Sequence, residues 1–594
     1  MVNALSAGIG STDMAANEAA QGKGAWATGV GAKASFLARA EQAAADDGIA
    51  GAARRLAHKQ LRKAIAAFRR ADYGKSALLS VDATGSDPTC GQAYHMLALS
   101  LDHMGEMARA MEMYERAFQL DPTDTDLYLN LGLAAWRLDL HTVAEKFFRH
   151  YCELAPEQPM GWNNLAGVLR DRSRFDDAIE VCRSAIYRMP EQPLLWNTLG
   201  TILVELSDFA QAATFYREAL RLDPTFTRAW HNLGYGLHHT GPLDEALAAY
   251  DTALSLPQEP RDRLETEHAR SLCLIALGRL AEGFAAYEVR HHHQHRASML
   301  YGIDAPMWKG EDLAGKTVLA MGEQGLGDEI MFGNILPDLA AAIGPAGQLK
   351  IAVDSRLGSL FARSFPQAEI GKYFVARHNG KDLRLAPWAG KPDYVVPFGS
   401  ALPHLRKTVE SFPGNAFLTP DPDRVAAMRA ALPQDGRLRV GLCWRSMMIN
   451  AQRQKYFSAI DAWAPLLNLP GVTFVNLQYG DAADEIARAR ALFGITIHQI
   501  DGLDLKNDLE GAAALSAGCD LVLSAPTAAA ALAGAVGTEV WFLTAGPVWP
   551  QLGTDHYPWY RASRIFSPAV FGDWETLMPG VAAELAARIA ATAP

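Results

Sequence analysis

Residues 321–330 read MGEQGLGDEI, three glycines and three carboxylates in ten positions, directly after the apolar run KTVLA (316–320). Gly322, Gly325 and Gly327 permit a tight turn and a close approach of backbone amides to a ligand at a helix N-terminus. The pattern is neither GxGxxG nor a P-loop, because no Lys-Ser/Thr follows the last glycine. Glu323, Asp328 and Glu329 would repel a phosphate held at this turn. A carboxylate here suits proton transfer, which needs only a hydroxyl within hydrogen-bond reach of Asp328. Asp328 is equally well placed to cap the helix, and spacing alone leaves both roles open.

Further candidates stand where other apolar runs end. Arg445 and Ser446 close GLCWRS (441–446), and a guanidinium offers phosphate or carboxylate a planar two-toothed fork. Pairing of Arg445 with a structural carboxylate is the competing reading. Gln478 and Tyr479 close VNLQYG and suit a base or a ribose. Ser524 and Thr527 open an alanine-rich helix, where free amides and hydroxyls form either an anion site or a cap. The histidines of RHHHQHR (290–296) are contiguous, not spaced along a helix face, and no Cys or carboxylate cluster accompanies them. A solvated linker is expected there, and no metal site.

Two kinds of scaffold must position these residues. From about 310, strands alternate with helices: KTVLAMG (316–322), LKIAVD (349–354) and DYVVPFG (393–399), then LRVGLCW (438–444), VTFVNLQ (472–478), GITIHQI (494–500), DLVLSA (520–525) and TEVWFLT (538–544). Continuous apolar runs of this kind are expected for parallel strands buried on both faces. The break near 415–435 divides them into two doubly wound α/β lobes, 310–430 and 431–594. A ligand cleft is expected past the carboxyl ends of their strands.

The first half is periodic. Tyr94, Tyr128, Trp162, Trp196 and Trp230 recur every 34 residues, as do Pro88, Pro122, Pro156, Pro190 and Pro224, with Ala110, Ala144, Ala178, Ala212 and Ala246 between them. This is the tetratricopeptide (TPR) pattern of paired helices, in which small residues allow close approach and proline ends the second helix. About seven repeats are expected over 57–292, forming an α-superhelix. The last is shifted by some three residues, which suggests a capping or docking role. Residues 1–56 read as a partly disordered, partly helical segment: 1–30 disordered, helix beginning somewhere after Ala32. Residues 293–309 read as a linker. Asn130, Asn164 and Asn232 occupy one consensus position, and a ladder of amides could pair with an extended acceptor peptide. The competing reading is that they tie neighbouring repeats together.

Composition narrows the class. The net charge of -11 carries no sequence-wide footprint for nucleic acid, and six cysteines without a CxxC pair argue for reduced thiols. No apolar run reaches the roughly 18 residues of a membrane span. With no secretory signal pattern either, a cytoplasmic protein without membrane insertion is expected.

The segment GEQGLGDEIMFGNILPDLA, with GRLAEGFAAYEVR upstream and LAGAVGTEVWFLT downstream, resembles bacterial TPR-containing glycosyltransferases whose second half is related to heptosyltransferases of the GT-B fold. The likeness runs from about 60 to 590 and is nearest to the flagellin-modifying enzymes of alphaproteobacteria. It implies a TPR superhelix followed by a bilobed GT-B pair, with Asp328 as the base that deprotonates the acceptor hydroxyl. It also implies a CMP-activated nonulosonic acid, such as pseudaminic acid, as donor and flagellin as acceptor, supporting filament assembly. The donor lobe of heptosyltransferases carries Asp-Thr-Gly…His. In the matching SAPTAAAALAGA (524–535), Thr527 is kept while Pro526 and Ala531 replace the Asp and the His. Either the donor differs or the lobe is inactive, which leaves a non-catalytic scaffold or flagellin chaperone as one alternative. An O-GlcNAc-transferase-like enzyme using UDP-GlcNAc is another. With no DxD-like motif at a strand end, inverting metal-independent transfer without a cofactor is expected. Arg445 and helix dipoles would neutralise the leaving phosphate.

Overall fold

The computed structural model describes residues 51–592 apart from 296–297, 379 and 448–450; the expected disorder of 1–30 and the helix after Ala32 lie outside them. The chain forms two compact units, one running to Ile202 with 218–224, the other comprising 203–217 and 225–594.

In the first unit, helix pairs such as Gly91–His103 with Met107–Leu120 and Thr125–Arg137 with His141–Leu154 follow the repeat. The two periodicities of the sequence meet in one bond. Tyr128 Oη, Trp162 Nε1 and Trp196 Nε1 each donate to the carbonyl of the proline six residues earlier, Pro122, Pro156 and Pro190, at 2.8 Å. That carbonyl belongs to the turn between repeats, so the aromatic fixes the entry of each first helix. The turn inside each repeat contains one left-handed residue, at Ala71, Gly105, Asp139, Ser173, Ser207 and Gly241, again every 34 positions. Four of these six lack glycine and accept a backbone that costs L-residues about 1 kcal/mol.

The asparagines are not displayed for a peptide. Asn130, Asn164 and Asn232 are 3%, 0% and 5% exposed. Asn130 Nδ2 pairs with His95 Nε2 of the preceding repeat at 2.9 Å, and Asn164 Oδ1 accepts from Asn163. Asn163 Oδ1 in turn accepts from Thr198 of the next repeat at 2.6 Å. Asn130 and Asn163 tie neighbouring repeats together, and the burial of Asn130, Asn164 and Asn232 overturns the expected peptide ladder.

In the second unit, the next left-handed turn after Gly241 is Gly278, displaced by three residues from the period. The short final helix, Leu280–Tyr287, sends Leu280, Phe284 and Tyr287 into the core shared with Val318 and Ile330. The shifted repeat therefore docks on the α/β region. The expected solvated linker is also corrected. Arg290 and His295 are buried, β1 (Leu300–Tyr301) joins a sheet, and Trp308 is buried.

Two parallel sheets carry the second half. The first has order β4-β3-β2-β7, with β2 at Thr317–Met321, β3 at Gln348–Val353, β4 at Glu369–Lys372 and β7 at Tyr394–Pro397. The second has order β10-β9-β8-β11-β12-β13, comprising β8 (Leu438–Cys443), β9 (Val472–Asn476), β10 (Ile497–His498), β11 (Leu521–Ser524), β12 (Val540–Leu543) and β13 (Ser563–Phe566). In each, the first strand in sequence sits inside the sheet and the chain winds outward on both sides. The switch points therefore fall beside β2 and between β8 and β11, where ligands bind in such sheets. A third, small sheet was not expected: β1 pairs with β6 (Lys381–Leu385), which forms a hairpin with β5 (Phe374–His378).

Candidate functional site

The loop after β2 holds the three carboxylates, and the fold gives each a different partner. Glu323 is 1% exposed and takes both teeth of Arg290, with Nε at 2.9 Å and Nη2 at 3.1 Å, plus the backbone N–H of Gly399. Burial works to raise its pKa, but Arg290 outweighs that and holds it below the usual range. Arg290 comes from the turn Glu288–His291 after the last repeat helix, so the upstream GRLAEGFAAYEVR motif and the glycine loop meet in this pair. Ser400 Oγ and Glu288 also hold Arg290, and its guanidinium lies 4.4 Å over the ring of Tyr287.

Glu329 is equally buried. It accepts from the Asp354 backbone N–H at 2.7 Å and from Tyr373 Oη at 2.8 Å, with Arg384 Nη1 at 3.6 Å. Burial dominates and pushes its pKa up to about 7. Its carboxylate fills the space a Cβ at Gly322 would need, which explains that glycine. Arg384 donates to the carbonyls of Gly322 and Gln324, so the hairpin strand β6 braces the loop from beneath.

Asp328 alone of the three opens on a cavity of about 1060 Å³. It sits in the first turn of Leu326–Phe332, and the Gly325 N–H reaches its Oδ2 at 3.4 Å, a long and weak cap. Burial, helped by the charge of Glu323 and opposed by the Gly325 contact, pushes its pKa up to about 6. Gly325 and Gly327 both line the cavity, and Gly327 also serves packing: a Cβ there would lie 3.3 Å from Ala528 N. The glycine loop thus abuts the Pro526–Thr527 turn after β11, and the switch points of the two sheets share one cavity.

The strand-end candidates divide. Ser446, Tyr479 and Thr527 line the cavity with Asp328. Arg445 does not; Glu485 takes its Nε at 2.7 and 3.0 Å and also its Nη2, and Nη2 donates further to the Asp481 carbonyl. Gln478 is 1% exposed, and its amide is used on Trp444 N, Arg445 N, Arg445 O and Tyr479 O. Ser524 is fully buried and donates to the Ala525 carbonyl at 2.7 Å. These three do not line the cavity, and their polar atoms are used in bonds at the strand ends. Cationic side chains that do line the cavity are Arg356, Arg453 and Lys506. The first is tied to Asp354 by Nε and Nη2 at 2.9 and 2.8 Å.

Sequence reasoning missed an entire wall. His231, Tyr235, His238, His239 and His268, from helices Thr227–Thr240 and Pro260–Ala276, line the same cavity. Burial lowers the pKa of His231, His238 and His268 to about 4 and that of His239 to about 3, so all are neutral near pH 7. His239 Nδ1 meets the Tyr235 carbonyl at 2.9 Å, which can only accept, so Nε2 is the acceptor for Tyr456 Oη at 2.9 Å. Tyr235 Oη donates in turn to Tyr456 Oη at 3.2 Å. The segment HNLGYGLHH offered a signal in its density of ring side chains, but repeat periodicity assigned it to packing. Among the described residues, no helix is long and apolar enough to cross a membrane.

The tetratricopeptide repeat model matches residues 91–124, 125–158 and 197–261. Repeats of this kind generally mediate contacts between proteins. Protein FlbA of Caulobacter vibrioides is 40% identical over 564 residues, covering 94% of each chain. Among solved structures, the Cut9–Hcn1 complex aligns at 18% identity with a TM-score of 0.33, over 41% of this chain and 47% of that one. A thermophilic TPR protein from Thermus thermophilus aligns at 24% identity and TM-score 0.28, over 31% of this chain and all of that one.

Proposed function

The chain belongs to the FlbA family, and from that premise we propose that it is a protein O-glycosyltransferase of GT-B type, inverting and metal-independent. It moves a nonulosonic acid from a CMP-activated donor to Ser or Thr of flagellin, in the cytoplasm, ahead of filament assembly. The observation that carries this reading is the single outward carboxylate. Two of the three loop carboxylates are locked in internal bonds, and Asp328 faces a cavity where two parallel sheets bring their switch points together.

Asp328 takes the proton of the acceptor hydroxyl as its oxygen bonds to the anomeric carbon, and the bond from that carbon to the phosphate oxygen breaks, releasing CMP. A pKa of about 6 suits the task, because the group is ionised at pH 7 yet more basic than an ordinary aspartate. Thr527, Ser446 and Tyr479 are the donor-side contacts in this account, and Arg453 and Lys506 supply the positive charge that meets the leaving phosphate. The repeats hold the acceptor protein through surfaces other than the buried asparagines.

A second reading is favoured by one observation: Arg445, Gln478 and Ser524 are spent on internal bonds, and Pro526 and Ala531 replace donor residues of the heptosyltransferase pattern. A scaffold or flagellin chaperone with a decayed lobe would show this. Calorimetric titration with CMP and with UDP decides. The enzyme binds CMP in preference to UDP, a decayed lobe binds neither, and preference for UDP indicates an O-GlcNAc-transferase-like donor.

A further inference from the structure

The four histidines on the repeat side of the cavity fall into two pairs. His231 is used on Thr266 Oγ1 at 3.0 Å, and His239 on the Tyr235 carbonyl and Tyr456 Oη. The ring nitrogens of His238 and His268 meet no hydrogen-bond partner among the described residues. Both side chains are half-buried and line the cavity, and their nitrogens are accessible, unlike those of His295, which are sealed without a partner. An imidazole offers one donor and one acceptor, so two unused rings at a cavity wall are ready contacts for what enters.

His268 is held close to the glycine loop. Its ring stacks on Tyr287 at 5.5 Å and 24° and meets His295 edge-on at 4.9 Å. Tyr287 Oη accepts from Gln324 Nε2 in that loop, and the charge of Asp328 adds to the burial that raises the Tyr287 pKa. One ring therefore separates His268 from the loop that carries Asp328. His238 stands in the wall on helix Thr227–Thr240, beside His239 at 5.9 Å.

Charge divides the cavity between two ligands. The cationic side chains that line it, Arg356, Arg453 and Lys506, all belong to the α/β region. The repeat helices contribute none; their one charged side chain there among the described residues is the carboxylate of Glu265, and burial keeps His238 and His268 neutral. A donor bearing a phosphate finds its counter-charges on the α/β side. A charged group placed against the repeat side would lose water without gaining a counter-ion, so an uncharged polar chain fits there best.

We propose that His238 and His268 contact the acceptor, their ring nitrogens hydrogen-bonding an uncharged, extended segment of the acceptor protein that presents its Ser or Thr hydroxyl to Asp328. This rests on the glycosyltransferase reading and adds to it the wall that receives the acceptor and the kind of segment that wall takes.

The test is His238→Phe and His268→Phe in the full chain, each keeping a ring and removing both nitrogens. Melting temperatures without ligand should match that of the unsubstituted protein, because no bond is lost. In a transfer assay with flagellin and CMP-pseudaminic acid, KM for flagellin should rise roughly threefold to tenfold in each variant, while KM for the donor stays within about twofold. Asp placed beside a modified residue of flagellin should lower transfer at that residue roughly tenfold with the unsubstituted protein. A fall of several degrees in melting temperature would overturn the proposal, since the nitrogens would then have structural partners. Unchanged KM for flagellin, an equal rise in both KM values, or full transfer beside the introduced Asp would overturn it as well, with the glycosyltransferase reading intact. If the unsubstituted protein transfers no sugar, that reading fails first and takes these contacts with it.

Discussion

Substituting Asp328 by Asn and by Ala distinguishes a buried carboxylate held above its ordinary pKa from a helix cap without any substrate, because the two carry opposite signs in the stability of the alanine variant. Asp328 has its pKa raised from 3.8 to about 6, chiefly by burial. A raised carboxylate pKa means that folding favours the protonated form. The contribution is intact below the unfolded pKa and is lost as pH rises through about 6. The shift is roughly two units, and at about 1.36 kcal/mol each the ionised group costs the native state up to about 3 kcal/mol above pH 7. Asparagine removes that cost and retains an oxygen for the Gly325 N–H, whose bond at 3.4 Å contributes little. Partial exposure of the side chain reduces the gain, so about 2 kcal/mol is expected at pH 8, falling to nearly nothing at pH 4. Asp328→Ala should gain about 1 kcal/mol, after losing a weak cap. Urea unfolding followed by tryptophan fluorescence at the two pH values provides the comparison. If Asp328 serves as a cap, alanine instead costs about 0.5–2 kcal/mol. Destabilisation by both variants at pH 8 would refute the reasoning.

The remaining predictions concern the frame around the site. Arg290→Ala leaves Glu323 buried without its counter-charge and should cost about 3–5 kcal/mol. The double variant Arg290→Met with Glu323→Leu should recover much of this in the same unfolding assay, and a loss under about 1 kcal/mol for Arg290→Ala would show the pair to be unimportant. Asn130→Ala removes the bond to His95 of the preceding repeat and should cost about 1–3 kcal/mol, while pull-down of the acceptor protein by the folded variant is unchanged. Loss of pull-down with stability intact would restore the peptide ladder.

What was legible in the sequence follows the range of the forces involved. The 34-residue periodicity and the apolar strands are set by local packing, and each apolar run from KTVLAMG to TEVWFLT contains a strand. The hairpin of β5 and β6 escaped because FVARH is largely exposed, KDLRL is charged and mostly half-buried, and neither forms a continuous apolar run. At the site, Asp328 was recognisable from its motif, but the separate fates of Glu323 and Glu329 depend on Arg290, Tyr373 and Arg384 from other elements. Arg445 had suitable chemistry at a suitable strand end. Its partner Glu485, on the helix Ala483–Phe493, is 40 residues away and could not be read from spacing.

The central claim is that Asp328 deprotonates a protein hydroxyl during sugar transfer. Its most direct test is intact-protein mass spectrometry of purified flagellin incubated with this protein and a CMP-activated nonulosonic acid. The account predicts mass increments of one or more nonulosonate residues with the unsubstituted protein, and none with Asp328→Asn although that variant is folded. An unshifted flagellin mass with the unsubstituted protein, or equal increments with Asp328→Asn, would contradict it.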